Sequence, residues 1–250
     1  MTTCPAKPIL SLEAVSHQFG DGWVLREVSL LVREGECVGL LGSSGAGKST
    51  LFNLIAGLLP LQTGSIRIEA AEPGPGPRPL SYMLQKDLLL EHKTVLGNLM
   101  LPLKLKGQKS AQARAQALKA LEEIGMSEVA SYYPAELSGG MRQRIALLRT
   151  RLQDQRLLLL DEAFSALDVL TKQQMHDWYR DLQTRYRLTT LLITHDPDEA
   201  LKLCSRIYIL GSHPGRIVAE LQPGRPAEGE EAELWQLRWR RRLLAALEAN

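Results

Sequence analysis

Three short segments carry residues whose types and spacing suit phosphate chemistry. Gly42-Ser43-Ser44-Gly45-Ala46-Gly47-Lys48-Ser49 has the spacing G-x-x-x-x-G-K-[ST] between an apolar strand pattern, Cys37 to Leu41, and a helical one, Lys48 to Ala56. Its glycines let successive backbone N–H groups curl around phosphate oxygens, and the helix N-terminus adds positive potential. Lys48 reaches the outer phosphates, Ser49 offers a hydroxyl to Mg²⁺, and Thr50 faces the same ligand. Leu157-Leu158-Leu159-Leu160-Asp161-Glu162 is an apolar strand ending in two carboxylates, at the sheet edge where ligands of such folds bind. A metal site needs one carboxylate and in-line hydrolysis needs an oriented acceptor, so Asp161 is assigned to the Mg²⁺ shell and Glu162 to the attacking water. Ser138, Gly139 and Gly140 open another helix, where a hydroxyl and two free amides form a second anion site.

A phosphate loop alone admits a GTPase or a small-molecule kinase. Ras-like GTPases read guanine with Asn-Lys-x-Asp, whereas the asparagines here are Asn53, Asn98 and Asn250, none followed by lysine.

These segments need a scaffold, and hydropathy patterning supplies one. Short strands are expected over Ile9 to Val15, Val28 to Val32 and Cys37 to Leu41, then a helix over Lys48 to Ala56 closed by Gly57. Ser65 to Ile68 and Leu80 to Leu84 read as further strands. The prolines of Pro73 to Pro79 forbid helix and mark an exposed loop. Thr94 to Tyr133 reads as wholly helical, an inserted subdomain. Beyond Gly140, helix and strand alternate: a helix to about Leu152, strand Leu157 to Leu160, helix Thr171 to Tyr186, strand Thr190 to Thr194, a helix through Ala200, and strand Ile207 to Leu210. Such alternation predicts an α/β fold, a mostly parallel sheet covered on both faces. Residues 1–91 and 141–222 are expected to form the core, 92–140 the helical subdomain, and 223–250 a linker and a C-terminal amphipathic helix. In that helix Trp235, Trp239 and Leu243 recur at four-residue steps beside Arg238, Arg240, Arg241 and Arg242. Packing on its own domain or across a dimer is the favoured reading of this stripe over contact with a membrane surface.

The 250 residues carry 30 basic and 28 acidic side chains, so no global field draws the chain onto nucleic acid. No apolar run approaches the roughly 20 residues of a membrane-spanning helix. The N-terminus shows no secretory signal pattern, which predicts a cytoplasmic location. Cys4, Cys37 and Cys204 lack metal-ligand spacing and read as reduced thiols, Cys37 as a small core residue.

Leu137-Ser138-Gly139-Gly140-Met141-Arg142-Gln143-Arg144 resembles the signature of the ABC ATPases and lies between the two phosphate motifs in that family's order. The resemblance extends from about Ile9 to Leu221. It implies a P-loop (RecA-like) core with an N-terminal antiparallel β part and an inserted helical subdomain. It also implies ATP and Mg²⁺ as ligands, and a homodimer in which the Ser138–Gly140 site of one copy meets the γ phosphate bound by the other. Gln85 resembles the family's Q-loop glutamine, which touches metal or water. Ser165-Ala166-Leu167-Asp168 resembles the D-loop at the dimer interface. His195 resembles the switch histidine on the γ phosphate. Phe19 matches the aromatic that stacks on adenine, with a core phenylalanine as the other reading and Trp23 as the rival stacking residue. Ala163 stands where the family often has proline, a departure that removes no chemistry.

With one core and no heptad region, a transporter subunit is expected, the alternative being a non-transport ABC ATPase acting on nucleic acid or ribosomes. Tyr82 to Leu89 and His213-Pro214-Gly215-Arg216-Ile217 look like the nitrate, sulfonate, taurine and thiamine-precursor branch of bacterial importers. Leu148-Arg149-Thr150 leans the resemblance toward pyrimidine-type thiamine precursors. The branch implies integral-membrane permease subunits, an external solute-binding protein, and attachment to the inner face of the cell membrane.

Overall fold

A computed structural model describes residues 6–69, 78–224 and 231–248. Cys4 and Pro73 to Pro77 of the expected loop lie outside these. The described residues build two sheets. Strands β1 (Pro8–Phe19), β2 (Gly22–Arg33) and β4 (Thr63–Ile68) form an antiparallel sheet in the order β2-β1-β4. The second sheet holds β3 (Cys37–Gly42), β5 (Leu80–Met83), β6 (Leu157–Asp161), β7 (Thr189–Thr194), β8 (Arg206–Leu210) and β9 (Ile217–Leu221). Its order is β5-β6-β7-β3-β8-β9, parallel except for the antiparallel pair of β8 and β9. Strands β3, β6 and β7 are buried at every position, which is why none of them shows a regular alternation of apolar and polar residues.

Helix α1 (Lys48–Ala56) buries Leu51, Phe52, Leu54 and Ile55 in a core shared with both sheets, together with Leu10, Leu12, Val28 and Leu159. A second core joins the large sheet to α4 (Gly139–Arg151), α5 (Val169–Tyr186) and α6 (Pro197–Leu203), with α2 (Val95–Leu105) packed on α4, α3 (Ser110–Glu123) on α2, and α7 (Ala232–Glu248) on α6. The fold is therefore α/β with a predominantly parallel sheet and an antiparallel N-terminal sheet, as the sequence implies.

Several boundaries differ from the sequence reading. The stretch Thr94 to Tyr133 is not wholly helical: Gly107 and Gly125 adopt left-handed backbone (φ 84° and 65°) and end α2 and α3, and a 3₁₀ turn follows at Ser127–Val129. Strands β1 and β2 run several residues past their apolar cores, because pairing continues through Gln18 opposite Trp23 to the turn at Phe19 and Gly22. Strand β9, half-exposed and short, carried too weak a pattern to be read. Cys37 and Cys204, distant in sequence, meet with their Sγ atoms 3.7 Å apart as buried thiols.

Helix α7 packs on its own chain, the favoured of the two readings. Leu243 is fully buried, and Trp235, Trp239 and Leu247 press on the core while α7 lies against α6. The Arg242 guanidinium lies 4.4 Å from the Trp239 ring centroid, and Arg240 pairs with Asp198 at 3.4 Å. Because Leu243 faces the core and Leu244 faces solvent, Leu243→Ala should lose about 2–4 kcal/mol and Leu244→Ala no more than about 0.5 kcal/mol. Urea denaturation followed by circular dichroism measures both, and equal losses would contradict this docking.

Candidate nucleotide-binding site

Register fixes the site. Leu41 of β3 pairs with Thr194 of β7, and Asp161 of β6 pairs with Ile193 of β7. Gly42–Ser49, Asp161-Glu162 and His195 therefore emerge from three adjacent parallel strands at one edge, the C-terminal edge where α/β sheets bind ligands.

The loop Gly42–Ser49 turns through Gly45 and Gly47 in left-handed conformation, φ 81° and 95°, and Gly47 caps α1. The buried Lys48 ammonium donates to the Gly42 and Ser43 carbonyls, both at 2.8 Å. Burial lowers its pKa below the ordinary lysine value, against the opposing pull of the Glu162 and Asp161 charges.

Asp161 is buried and accepts a hydrogen bond from the Tyr82 hydroxyl at 3.3 Å. Burial raises its pKa, the nearby Glu162 charge adds to this, and hydrogen bonds from Tyr82 and Ser49 oppose it. Burial and the Asp161 charge keep the Tyr82 phenol protonated far above its ordinary range. Tyr82, on β5, is a site residue the sequence offered only as one letter of a motif.

Glu162 sits in left-handed backbone, φ 47°, fixed by its amide donating to the Ile193 carbonyl and by Ser165, whose N–H and hydroxyl both donate to the Glu162 carbonyl. Two side chains converge on its carboxylate: Gln85 Nε2 donates to Oε2 at 3.3 Å, and His195 Nδ1 lies 3.4 Å from Oε1. Residues at positions 85, 162 and 195 are thus one cluster. A hard divalent cation takes oxygen donors, and the Ser49 hydroxyl, the Asp161 carboxylate and Gln85 Oε1, left free by the use of Nε2, supply that donor set.

The segment after Gln85 is tied to α4. Arg142 grips Asp87 with two hydrogen bonds, 2.9 and 3.1 Å, and Glu91 with one of 2.6 Å. Burial alone would raise the Asp87 pKa, but Arg142 and the Leu89 amide hold it below the ordinary value. Arg149 donates to the Asp87 and Leu88 carbonyls, both at 2.7 Å. Asn98, fully buried, accepts from the Leu90 N–H and donates to the Leu90, Lys93 and Thr94 carbonyls. No spacing rule signals this network, because its members are far apart in sequence.

Ser138 caps α4 by accepting from Met141 N–H at 3.3 Å. A Cβ on Gly139 would meet nothing within 4 Å, so this helix start is open outward; one on Gly140 would lie 2.5 Å from Thr171 Cγ2 of α5. Asp168 caps α5 through the Thr171 N–H at 3.1 Å, and that contact lowers its pKa. Lys172, one turn on, bonds Asp196 beside His195 at 2.7 Å, while His176 bonds the buried Glu199 at 2.9 Å. Phe19 is not a core residue: it is 55% exposed and Trp23 45%, both near the tip of the β1–β2 hairpin, where Trp23 pairs with Gln18 and Phe19 with Gly22.

Comparison with known proteins identifies the family. The family described as ABC transporter matches residues 25–165. The chain is 41% identical over 217 residues to the formylaminopyrimidine import ATP-binding protein ThiZ of Halalkalibacterium halodurans, covering 86% of this chain and 85% of that one. It is 40% identical over 239 residues to the aliphatic sulfonates import ATP-binding protein SsuB 3 of Rhodococcus jostii, covering 95% and 84%. Among solved structures, MJ1267 in its ADP conformation, an ATP-binding cassette of an ABC transporter, superposes with a TM-score of 0.76 at 24% identity over 87% of this chain and 92% of that chain, a likeness of fold. The phosphate loop, the paired carboxylates and the open helix at Ser138 thus occur in a chain that belongs to the ABC transporter family of ATP-binding subunits.

Proposed function

We propose that this chain is the ATP-hydrolysing subunit of a bacterial importer, and that two copies close head to tail around two ATP molecules. The observation that carries the reading is the convergence of Gln85 and His195 on Glu162, beside Asp161 and the Lys48 loop. Backbone amides of Gly45 to Ser49 cradle the phosphates and Lys48 swings from its carbonyl partners to the β and γ oxygens. Phe19 or Trp23, both exposed at the hairpin tip, offers a face for adenine. Ser49, Asp161 and Gln85 would hold Mg²⁺, which would supply neutralisation of phosphate charge. Glu162 accepts a hydrogen bond from the attacking water and orients it on the γ phosphorus; as the new P–O bond forms, the bond to the bridging oxygen breaks and ADP leaves. Gln85 and His195 hold the Glu162 carboxylate, and His195 also reaches toward the γ phosphate.

The Ser138–Gly140 helix start, open to the outside, faces the γ phosphate held by the second copy, with Asp168 near the same interface. ATP binding then joins the copies and hydrolysis lets them part. The ion pairs of Arg142 and the hydrogen bonds of Arg149 to the Asp87 and Leu88 carbonyls carry motion of the Gln85 segment into the helical subdomain, which leans on a loop of the permease. This assembly lies on the inner face of the cell membrane, fed by an external solute-binding protein. The relatives named for formylaminopyrimidine and aliphatic sulfonates support a small polar solute, with a pyrimidine-type thiamine precursor favoured.

Two measurements check this. Lys48→Ala and Ser138→Arg subunits should each hydrolyse ATP at about 1% of the normal rate or less. Mixed in equal amounts they should recover activity, since half the dimers then pair an intact phosphate loop with the other copy's intact Ser138. A mixture no more active than its parts would show that Ser138 does not act across a dimer. Recovery of the chain from a mild-detergent extract of its host should bring down a multi-pass permease, identified by mass spectrometry. Ribosomal or nucleic-acid-bound partners without a permease would overturn the importer reading.

A further inference from the structure

The stretch His213 to Ile217 takes no part in the chemistry above, yet it meets the phosphate loop from behind. The Gly215 N–H donates to the Val24 carbonyl and the Arg26 N–H donates to the Gly215 carbonyl, both at 2.9 Å, so the segment extends β2 by one parallel bridge. Gly215 is buried, and a Cβ built on it would lie 2.3 Å from the Ala46 carbonyl oxygen, 3.0 Å from Leu25 Cδ2 and 3.1 Å from the Val24 carbonyl oxygen. Gly215 has an ordinary negative φ, so turn geometry does not call for glycine here; close approach to the phosphate loop does.

Two neighbouring contacts complete the enclosure. A Cβ on Gly47 would lie 2.8 Å from Leu25 Cδ2, and one on Gly42 would lie 2.6 Å from the Leu210 carbonyl oxygen. The loop is thus held from the back at three points, by β8, by β2 and by Gly215 between them. A planar trans peptide sends its C=O and N–H in opposite directions. With the Ala46 carbonyl directed at Gly215, the Gly47 N–H points to the other side of the loop, away from the brace.

We propose that Gly215 is a positioning residue for nucleotide binding: its bare backbone lets the segment close on Ala46 and fixes the peptide that aims the Gly47 N–H at phosphate. Because the same segment bonds Val24 and Arg26, it also sets the loop's distance from the hairpin that bears Trp23. The proposal rests on the reading of Gly42–Ser49 as the phosphate site and adds a residue remote in sequence to it.

The test is Gly215→Ala, with Arg216→Ala as a change in the same segment that adds no atom toward Ala46. Titration with a fluorescent ATP analogue should give a Kd raised about tenfold or more for Gly215→Ala, while kcat at saturating ATP stays within about threefold. Arg216→Ala should bind as the unaltered chain does. Should Gly215→Ala fail to fold, Leu25→Val, which shortens the side chain wedged between Gly47 and Gly215, should raise Kd about threefold with folding retained. Unchanged affinity in the folded variants, or a fall in kcat with Kd untouched, would overturn the proposal. Lys48→Ala separates the two readings: if it too kept full affinity the phosphate site itself would be misassigned, whereas its loss of ATP beside a normal Gly215→Ala would refute the brace alone.

Discussion

The nucleotide edge depends on one constraint, the in-register parallel pairing of β6, β7 and β3. Each strand ends within a residue of its neighbours, so the phosphate loop, the Asp161-Glu162 pair and His195 are delivered side by side without any long connection having to be ordered around them. A slip of one residue in β6 would turn Asp161 and Glu162 to opposite faces and bury the wrong acid. Unbroken burial of Leu157 to Leu160, of Thr189 to Thr194 and of Cys37 to Gly42 guards that register from both sides.

On that edge the two acids are placed differently. Asp161 is pushed toward its neutral form by burial, an unfavourable state that a bound cation would relieve. Glu162, the next residue and in left-handed backbone, is instead contacted by the Gln85 amide and the His195 imidazole. Adjacent residues in one chain thus meet different surroundings, which suits the proposed division of the two carboxylates between a metal and a water. The partly buried Asp87–Arg142 pair, joined by the exposed Glu91, attaches the segment after Gln85 to α4, and the buried Asn98 ties its far end to α2. Removing Arg142 would leave the partly buried Asp87 carboxylate without its charged partner, so this pair couples the segment to α4.

Much of this was legible beforehand, for physical reasons that differ by element. The phosphate loop and the Asp161-Glu162 strand are local: spacing, glycine and burial within a dozen residues determine them. Fold class followed from alternation of period. Gln85, His195 and Asp168 were reached only through resemblance, since a lone polar residue at a strand end carries no pattern. Phe19 and Trp23 could not be ranked, and both prove exposed at one hairpin tip. What stayed hidden was long-range: the Arg149 anchor on Asp87 and Leu88, the Lys172 bond to Asp196, the paired thiols, and the contact of Gly215 with Ala46. Each joins residues tens to more than a hundred positions apart or hinges on a distance of a few ångströms. The C-terminal stripe showed which residues would be buried but not against what, and α6 supplied the answer.

The central claim is that Glu162, oriented by Gln85 and His195, directs the water while the Lys48 loop binds the nucleotide. The most direct measurement is single-turnover ATP hydrolysis by Glu162→Gln, a change that keeps size and hydrogen bonding but removes the negative acceptor. The expected result is a rate at least about a hundredfold lower, with ATP affinity within about threefold of normal and an ATP-dependent dimer stable enough to sediment as one species. Hydrolysis at the unaltered rate would contradict the assignment and move the water-orienting role away from the edge of β6.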